Sequence, residues 1–262
     1  MTKITFAVPI YIEHLSYGVT LMQTRKDTNN EHIDLAFACS TRGEADAIKL
    51  LVIKNKYNNV HIHIFPCDHI GNKAIYKKHM LLSVLKDDYD YIACFDVETV
   101  FTKHIPDEVI INEGNSPNIL GSKLETPNSI NTKCAKLLDI DEDWIDIYFW
   151  FSNIPVYRSD NISKLYEHFQ DISKLSEDYD HFEYILYVYF VKKFNLMDID
   201  IIDIGDKYGV FSGWSLECCS HFIINSLHEK HCTLPLWCWP ITYQKLEPHI
   251  KDKFYILYHV DR

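Results

Sequence analysis

Over the first hundred residues, four apolar runs alternate with three helix-patterned stretches. That alternation restricts the fold more than any other feature of the chain. The apolar runs are Ile4–Ile10, Ile33–Ser40, Val60–Phe65 and Tyr91–Phe95. Between them lie Ser16–Arg25, Glu44–Tyr57 and a stretch opened by Lys73, Lys77 and Lys78. In Glu44–Tyr57, Ala45, Ile48 and Val52 recur at i, i+3 and i+7 with Leu51 beside them, the period of a helix with one buried face. Strands alternating with helices predict a mostly parallel sheet with crossover helices. Tyr91-Ile-Ala-Cys-Phe95 carries too few polar residues for a surface strand, so it is expected at the centre of the sheet, covered on both faces.

That strand runs into two carboxylates, Asp96 and Glu98, separated by Val97. Open α/β sheets hold their ligands at the C-terminal ends of the strands. Side chains at i and i+2 point the same way on an extended chain. Asp96 and Glu98 are therefore candidates to converge on one hard divalent cation, which takes oxygen ligands and shares substrate phosphates. The alternative is that the two acids only end the strand and cap the turn.

The run from Ala74 to Phe101 resembles the core of nucleotide-sugar-dependent glycosyltransferases of the GT-A type. Tyr76–Leu82 matches the family's helix, Tyr89-Asp90 its Tyr-Asp pair, and Asp96-Val97-Glu98 stands in for its Asp-x-Asp triplet. Glu98 departs from the pattern by one methylene. The resemblance implies an α/β, Rossmann-like, mostly parallel sheet flanked by helices, with an acceptor-side region toward the C-terminus. It implies one domain over 1–262, with a nucleotide-sugar-binding half (1–101) and an acceptor-binding and catalytic half (102–262). The implied activity is transfer of a sugar from a nucleotide-diphosphate donor, a UDP-sugar being favoured, to a hydroxyl of an oligosaccharide or glycan acceptor, with Mn²⁺ or Mg²⁺ as cofactor. Inversion is slightly favoured over retention.

By the same resemblance, donor-binding positions fall on Pro9, Tyr11, Asp68, Lys73, Lys77, Asp96 and Val97. Tyr11, after the first strand, is placed to stack on a base, or is a rim or core aromatic. Lys73 and Lys77 open a helix, and a helix N-terminus with lysines suits an anion; taken singly, each reads more simply as a solvated lysine. Metal ligands fall on Asp96 and Glu98 and on a late histidine, His221 or His228. Acceptor contacts fall on Trp150, Phe151, Ser152 and Asn153, within an aromatic cluster that also holds Trp144, Tyr148, Phe149 and Tyr157. Sugar rings pack on aromatic faces while Ser and Asn bond their hydroxyls. The catalytic base of an inverting enzyme falls on Asp178, Asp180 or Glu183. Asp180 and Glu183 also have capping-box spacing for the strongly striped helix Phe182–Phe194, with Asp180 as N-cap.

Composition excludes several classes. A net charge of −11 argues against nucleic-acid binding. No stretch is long and apolar enough to span a bilayer. Met1 leads directly into a strand with no signal-peptide layout, and the eight cysteines are scattered, so a cytoplasmic protein with reduced thiols is expected. No Gly-x-Gly-x-x-Gly follows the first strand, which disfavours a dinucleotide site. His61 and His63 share a strand face but lack a third ligand nearby.

The region 101–143 reads as loops with short strands around Glu108–Ile111 and Asn118–Leu120. Helix Asp160–Gln170, strand Ile199–Ile204, a turn at Phe211–Trp214, helix Leu216–Leu227 and strand Phe254–His259 follow. Two rivals to the transferase reading stand. One is a carbohydrate- or nucleotide-binding module without turnover. The other is a metal-dependent phosphohydrolase, which would need more clustered carboxylates. Competing with the late-histidine reading is a structural zinc site among Cys218, Cys219, His221, His228, His231, Cys232 and Cys238, which lack the paired spacing of zinc ribbons.

Overall fold

The computed structural model describes residues 2–121, 129–141, 155–178, 180–203 and 255–257. The first hundred residues fold as the alternation predicts. They run β1 (Ile4–Pro9), α1 (Leu15–Asp27), β2 (Asp34–Cys39), α2 (Arg42–Asn55), β3 (Val60–Ile64), α3 (Lys73–Leu85) and β4 (Tyr91–Cys94). A two-residue strand β5 (Val100–Phe101) and helix α4 (Asp107–Asn115) follow, then β6 (Asn118–Gly121) and helix α5 (Ser129–Leu137). The later elements are β7 (Val156–Arg158), α6 (Ser159–Phe169), α7 (Glu183–Lys193), β8 (Asp200–Asp203) and β9 (Ile256–Leu257).

Among the described residues the main sheet has five strands in the order β3-β2-β1-β4-β7. The first four are mutually parallel, and β7 lies antiparallel on β4. Two smaller pairings stand apart, β5 with β9 antiparallel and β6 with β8 parallel. β4 is thus an interior strand, as its sequence requires.

Both faces of the sheet are apolar. Phe6, Val8, Leu35 and Phe37 point to one side and pack with Leu21, Met22 and Ile110 of α1 and α4. Ala7, Ala36 and Ala38 point to the other, where Leu81, Leu82 and Leu85 of α3 and the side chains of α7 complete the core. The period-two alternation of a strand divides the residues between the two sides. The three alanines leave room for α3 to lie close over the parallel strands. Helix α2 starts on a capping box, Thr41 accepting from the Glu44 backbone N–H while the Glu44 carboxylate reaches back. Asn72 caps α3 by accepting from the Ile75 backbone N–H at 3.1 Å.

Four expectations are corrected. Glu108–Ile111 is not a strand but lies inside α4. Pro106 precedes its first turn, which carries Asp107 and Glu108, and Ile110 and Gly114, one helical turn apart, form its buried side. A Cβ at Gly114 would lie 2.8 Å from Tyr91 Cε1 and 3.0 Å from Val156 Cγ1, so this helix crosses the sheet where only glycine fits. Ser129–Leu137, inside a region read as loops and short strands, is helix α5. Tyr157 leaves the aromatic acceptor cluster. It sits in β7, fully buried, against the rings of Tyr184 and Tyr187. Finally, α7 begins at Glu183 with Phe182 as N-cap, so the Asp180–Glu183 capping box does not form. Trp144, Tyr148 and Phe149, the turn Phe211–Trp214, helix Leu216–Leu227 and the zinc candidates Cys218, Cys219, His231, Cys232 and Cys238 lie outside the described residues. Among the described residues no helix is long and apolar enough to cross a membrane.

Candidate functional site

The C-terminal ends of β1 and β4, the second turn of α3 and the first turn of α7 meet around one buried ammonium group. Lys78 Nζ lies 3.1 Å from Asp96 Oδ1 and 2.7 Å from Glu183 Oε1. The Lys78 side chain is 8% exposed and Glu183 2%, while Asp96 keeps about a third of its side-chain surface, 32%, open to solvent. Burial alone would pull the Lys78 pKa down, but the charges of Asp96 and Glu183 outweigh it and hold the group well above its ordinary range. Lys78 is therefore a fixed cation between two anions.

Backbone bonds fix these positions. β4 ends at Cys94, and Phe95 N donates to Ala7 O at 3.1 Å, keeping the chain against β1 as it leaves the sheet. Thr99 Oγ1 donates to the Asp96 carbonyl at 2.6 Å and turns the chain there. The acid pair thus rides a bend rather than an extended strand. Asn72 N donates to Ser176 O at 3.2 Å, which ties the start of α3 to the segment leading into α7. Glu183 stands first in α7 rather than third, and its carboxylate pairs with Lys78, 105 residues away in sequence.

The other predicted residues divide into three groups. Glu98 is 5% exposed, with Oε1 3.7 Å from His14 Nδ1 on the α1 side of the bend. Val97 is buried beside it and Pro9 ends β1. Tyr11 and Lys77 form a unit: Lys77 Nζ donates to Ile10 O at 2.5 Å and lies 3.5 Å from the Tyr11 ring centre. Lys77 is fully buried, so its reading as a solvated lysine fails, and burial lowers its pKa; Lys78 beside it on α3 is buried as well. Lys73 and Asp68 stay at the rim, 4.0 Å apart.

Asp178 and Asp180 share a different cation, Lys133 of α5, at 2.8 Å and 3.0 Å. The hydrogen bond from Lys133 holds the Asp178 carboxyl below the usual carboxylate range. Trp150, Phe151, Ser152, Asn153, His221 and His228 lie outside the described residues. His61 pairs with Asp34 at 3.5 Å.

Lys78 is the residue that sequence reasoning passed over as the partner of Asp96. Its signal was present: Ile75, Lys78, His79, Leu82 and Leu85 occupy one helical stripe, so a lysine sits where the period calls for an apolar side chain.

His79, next on that stripe, is fully buried. Tyr166 Oη donates to the His79 carbonyl at 2.9 Å, which leaves its oxygen to accept from His79 Nδ1 at 3.1 Å. Burial, with Lys78 and His181 adding positive charge nearby, lowers the His79 pKa to about 3. The unfolded chain takes up this proton near pH 6.5 and the folded chain does not, so stability falls as pH drops. From pH 7.5 to 5 the expected loss is about 2 kcal/mol. Urea denaturation at the two pH values measures it, and a His79→Phe variant should lose that much less over the same interval.

No protein-family model matches the chain, and no curated protein matches its sequence. Among solved structures it is similar to the apo form of WbbM, a bifunctional glycosyltransferase, at 8% identity over all of this chain and 46% of that one, with a TM-score of 0.51. It is also similar to residues 1–349 of S. aureus TarS, at 11% identity over 87% of this chain and 66% of that one, TM-score 0.45. A third likeness is to a glycosyltransferase involved in glycosylation of the major capsid of PBCV-1, at 8% identity over 99% of this chain and 94% of that one, TM-score 0.48. The chain spans less than two thirds of the WbbM and TarS structures. At 8% identity what is shared with WbbM is the fold, and that fold is the mostly parallel, helix-flanked sheet of GT-A glycosyltransferases.

Proposed function

We propose that the chain is a glycosyltransferase that takes a sugar from a nucleotide-diphosphate donor, a UDP-sugar in the first instance, and passes it to a hydroxyl of a glycan acceptor. One observation carries the reading: on a glycosyltransferase fold, the only partly open carboxylate of the buried charge cluster, Asp96, stands at the sheet end where such folds take their ligand. In this reading Tyr11, braced from below by Lys77, stacks on the base. Pro9 and Val97, both buried, back the subsite for base and ribose from within the core, and Asp68 and Lys73 border the entrance. Trp150, Phe151, Ser152 and Asn153 are carried over from the family resemblance as the acceptor surface.

A divalent cation, Mn²⁺ or Mg²⁺, fits this donor set as an ion shared with phosphates. Such an ion needs one or two protein carboxylates when phosphate oxygens and water supply the rest. Asp96 offers one. Glu98 is the weaker second ligand, buried and set against His14. The described residues contain no group of three or more metal-ligating side chains that would form an all-protein cage; His221 or His228 would add to the set by family resemblance. When bound, the ion neutralises charge that builds on the leaving diphosphate.

The protein's own groups have separate tasks. Lys78 holds Asp96 in place through their ion pair. Asp180 is proposed as the base that takes the acceptor proton, with Asp178 as its neighbour on Lys133. Glu183 is too deeply buried to meet an acceptor hydroxyl and acts through Lys78. Inversion at the sugar carbon follows if Asp180 is the base.

The test is UDP release from a panel of UDP-sugars, with Mn²⁺ and then with chelator, in the presence and absence of glycan acceptors. Acceptor-stimulated, chelator-sensitive release is expected, and Asp180→Asn should cut transfer by about a hundredfold or more while UDP still binds. UDP binding without any turnover would instead establish a silent binding module. Donor consumption indifferent to acceptor would establish a hydrolase.

A further inference from the structure

We propose that the buried Lys78–Glu183 pair sets the divalent-cation affinity of Asp96 by competition. This inference rests on the reading of Asp96 as a metal ligand and goes beyond it. Lys78 Nζ sits 3.1 Å from Asp96 Oδ1, so a metal ion reaching that carboxylate meets a cation already in place. The ammonium is almost wholly buried, and the repulsion between it and the arriving ion is poorly screened. Glu183 works in the opposite direction. Its Oε1 is the nearer partner of the ammonium, at 2.7 Å, and draws positive charge away from Asp96.

Asp96 affinity is then a balance between two carboxylates for one lysine. The fold holds the balance, because the three groups come from three elements. Lys78 lies in the second turn of α3, Asp96 on the bend after β4, and Glu183 opens α7. The Asn72–Ser176 backbone bond clamps the first and third together. Glu183 is accordingly a positioning residue. It does not touch substrate, and its effect should be read in metal binding before any turnover.

Mn²⁺ titration followed by electron paramagnetic resonance, with and without UDP, tests this in the 262-residue chain. Three proteins are compared: wild type, Glu183→Gln, and the double variant Lys78→Met/Glu183→Gln. With the Glu183 charge gone, the ammonium turns to Asp96 alone, and the Mn²⁺ Kd should rise about tenfold, within the usual range of coupling between sites. With both charges gone the competitor is absent, and the Kd should fall to about a tenth of the wild-type value. The double variant exchanges the ion pair for neutral groups of similar size, so it leaves no lone buried charge. Equal Kd values in all three, or weaker binding by the double variant than by wild type, overturn the competition while leaving Asp96 as a ligand. Wild type that takes up no Mn²⁺ with or without UDP overturns both readings.

Discussion

Asp96→Asn is expected to lower kcat/KM for UDP-sugar turnover by about a hundred- to a thousandfold, the range seen when one preorganised charge-stabilising group is removed from an active site. Asparagine keeps the shape and one carbonyl oxygen but loses the negative charge. That charge does two things in the proposed site. It provides the open carboxylate for the cation, and it shares the Lys78 ammonium with Glu183. Only the first is a catalytic loss. After the substitution Lys78 still faces Glu183 at 2.7 Å, so the buried pair remains neutral as a unit and the fold should hold. The informative result is therefore a split: turnover collapses while the urea midpoint moves by little. Steady-state UDP release and a denaturation curve on the same preparation measure both. Full activity in Asp96→Asn would remove the carboxylate from the mechanism and with it the assigned site.

The sequence made the first hundred residues of the fold legible and left much of the rest obscure, for identifiable physical reasons. β1, β2 and β4 are apolar because both faces of a parallel sheet are covered, and uninterrupted apolar runs are easy to see. α2 announces itself by period and by its capping box. β7 is three residues long, antiparallel, and enters after a proline from a stretch rich in aromatic residues. Nothing local separates its Tyr157, a core ring, from rings expected at a sugar. In Glu108–Ile111, residues 109, 110 and 111 are all apolar and suit either a strand or a helix. Gly114, four residues after Ile110, carries the deciding information, since it marks the helix's close approach to Tyr91.

The acid pair was legible by position but not by partner. A lysine at i+18 before a carboxylate gives no local sign of contact. Only the stripe shared by Ile75, Lys78 and Leu82 hinted that Lys78 turns inward. Likewise Asp180 and Glu183 have capping-box spacing, yet α7 starts at Glu183 itself and that carboxylate goes into a long-range ion pair with Lys78. Local rules of this kind give way most readily where charges are buried together, and such places tend to be sites.

Lys78→Met is expected to destabilise the protein by about 3–5 kcal/mol, because it leaves Glu183 as an uncompensated buried charge. Glu183 is 2% exposed, and its Oε2 makes no hydrogen bond in the structure. Asp96, partly open to water, can be hydrated when Lys78 is lost; Glu183 cannot, and must be protonated or drag solvent into the core. Stability of the single variant should consequently recover as pH falls toward the range where a buried carboxyl takes up a proton, the reverse of the trend set by His79. Adding Glu183→Gln to Lys78→Met should restore most of the loss, giving a coupling of about 2–3 kcal/mol in the double-mutant cycle. Urea midpoints for the four proteins at pH 7.5 measure it. A Lys78→Met protein as stable as wild type would mean that the buried contacts of Lys78 and Glu183 cost nothing to break. Recovery in the double variant would carry a further consequence. A neutral pair would then support the fold about as well as the charged one, and the reason for burying a lysine between two acids would lie in what it does to Asp96.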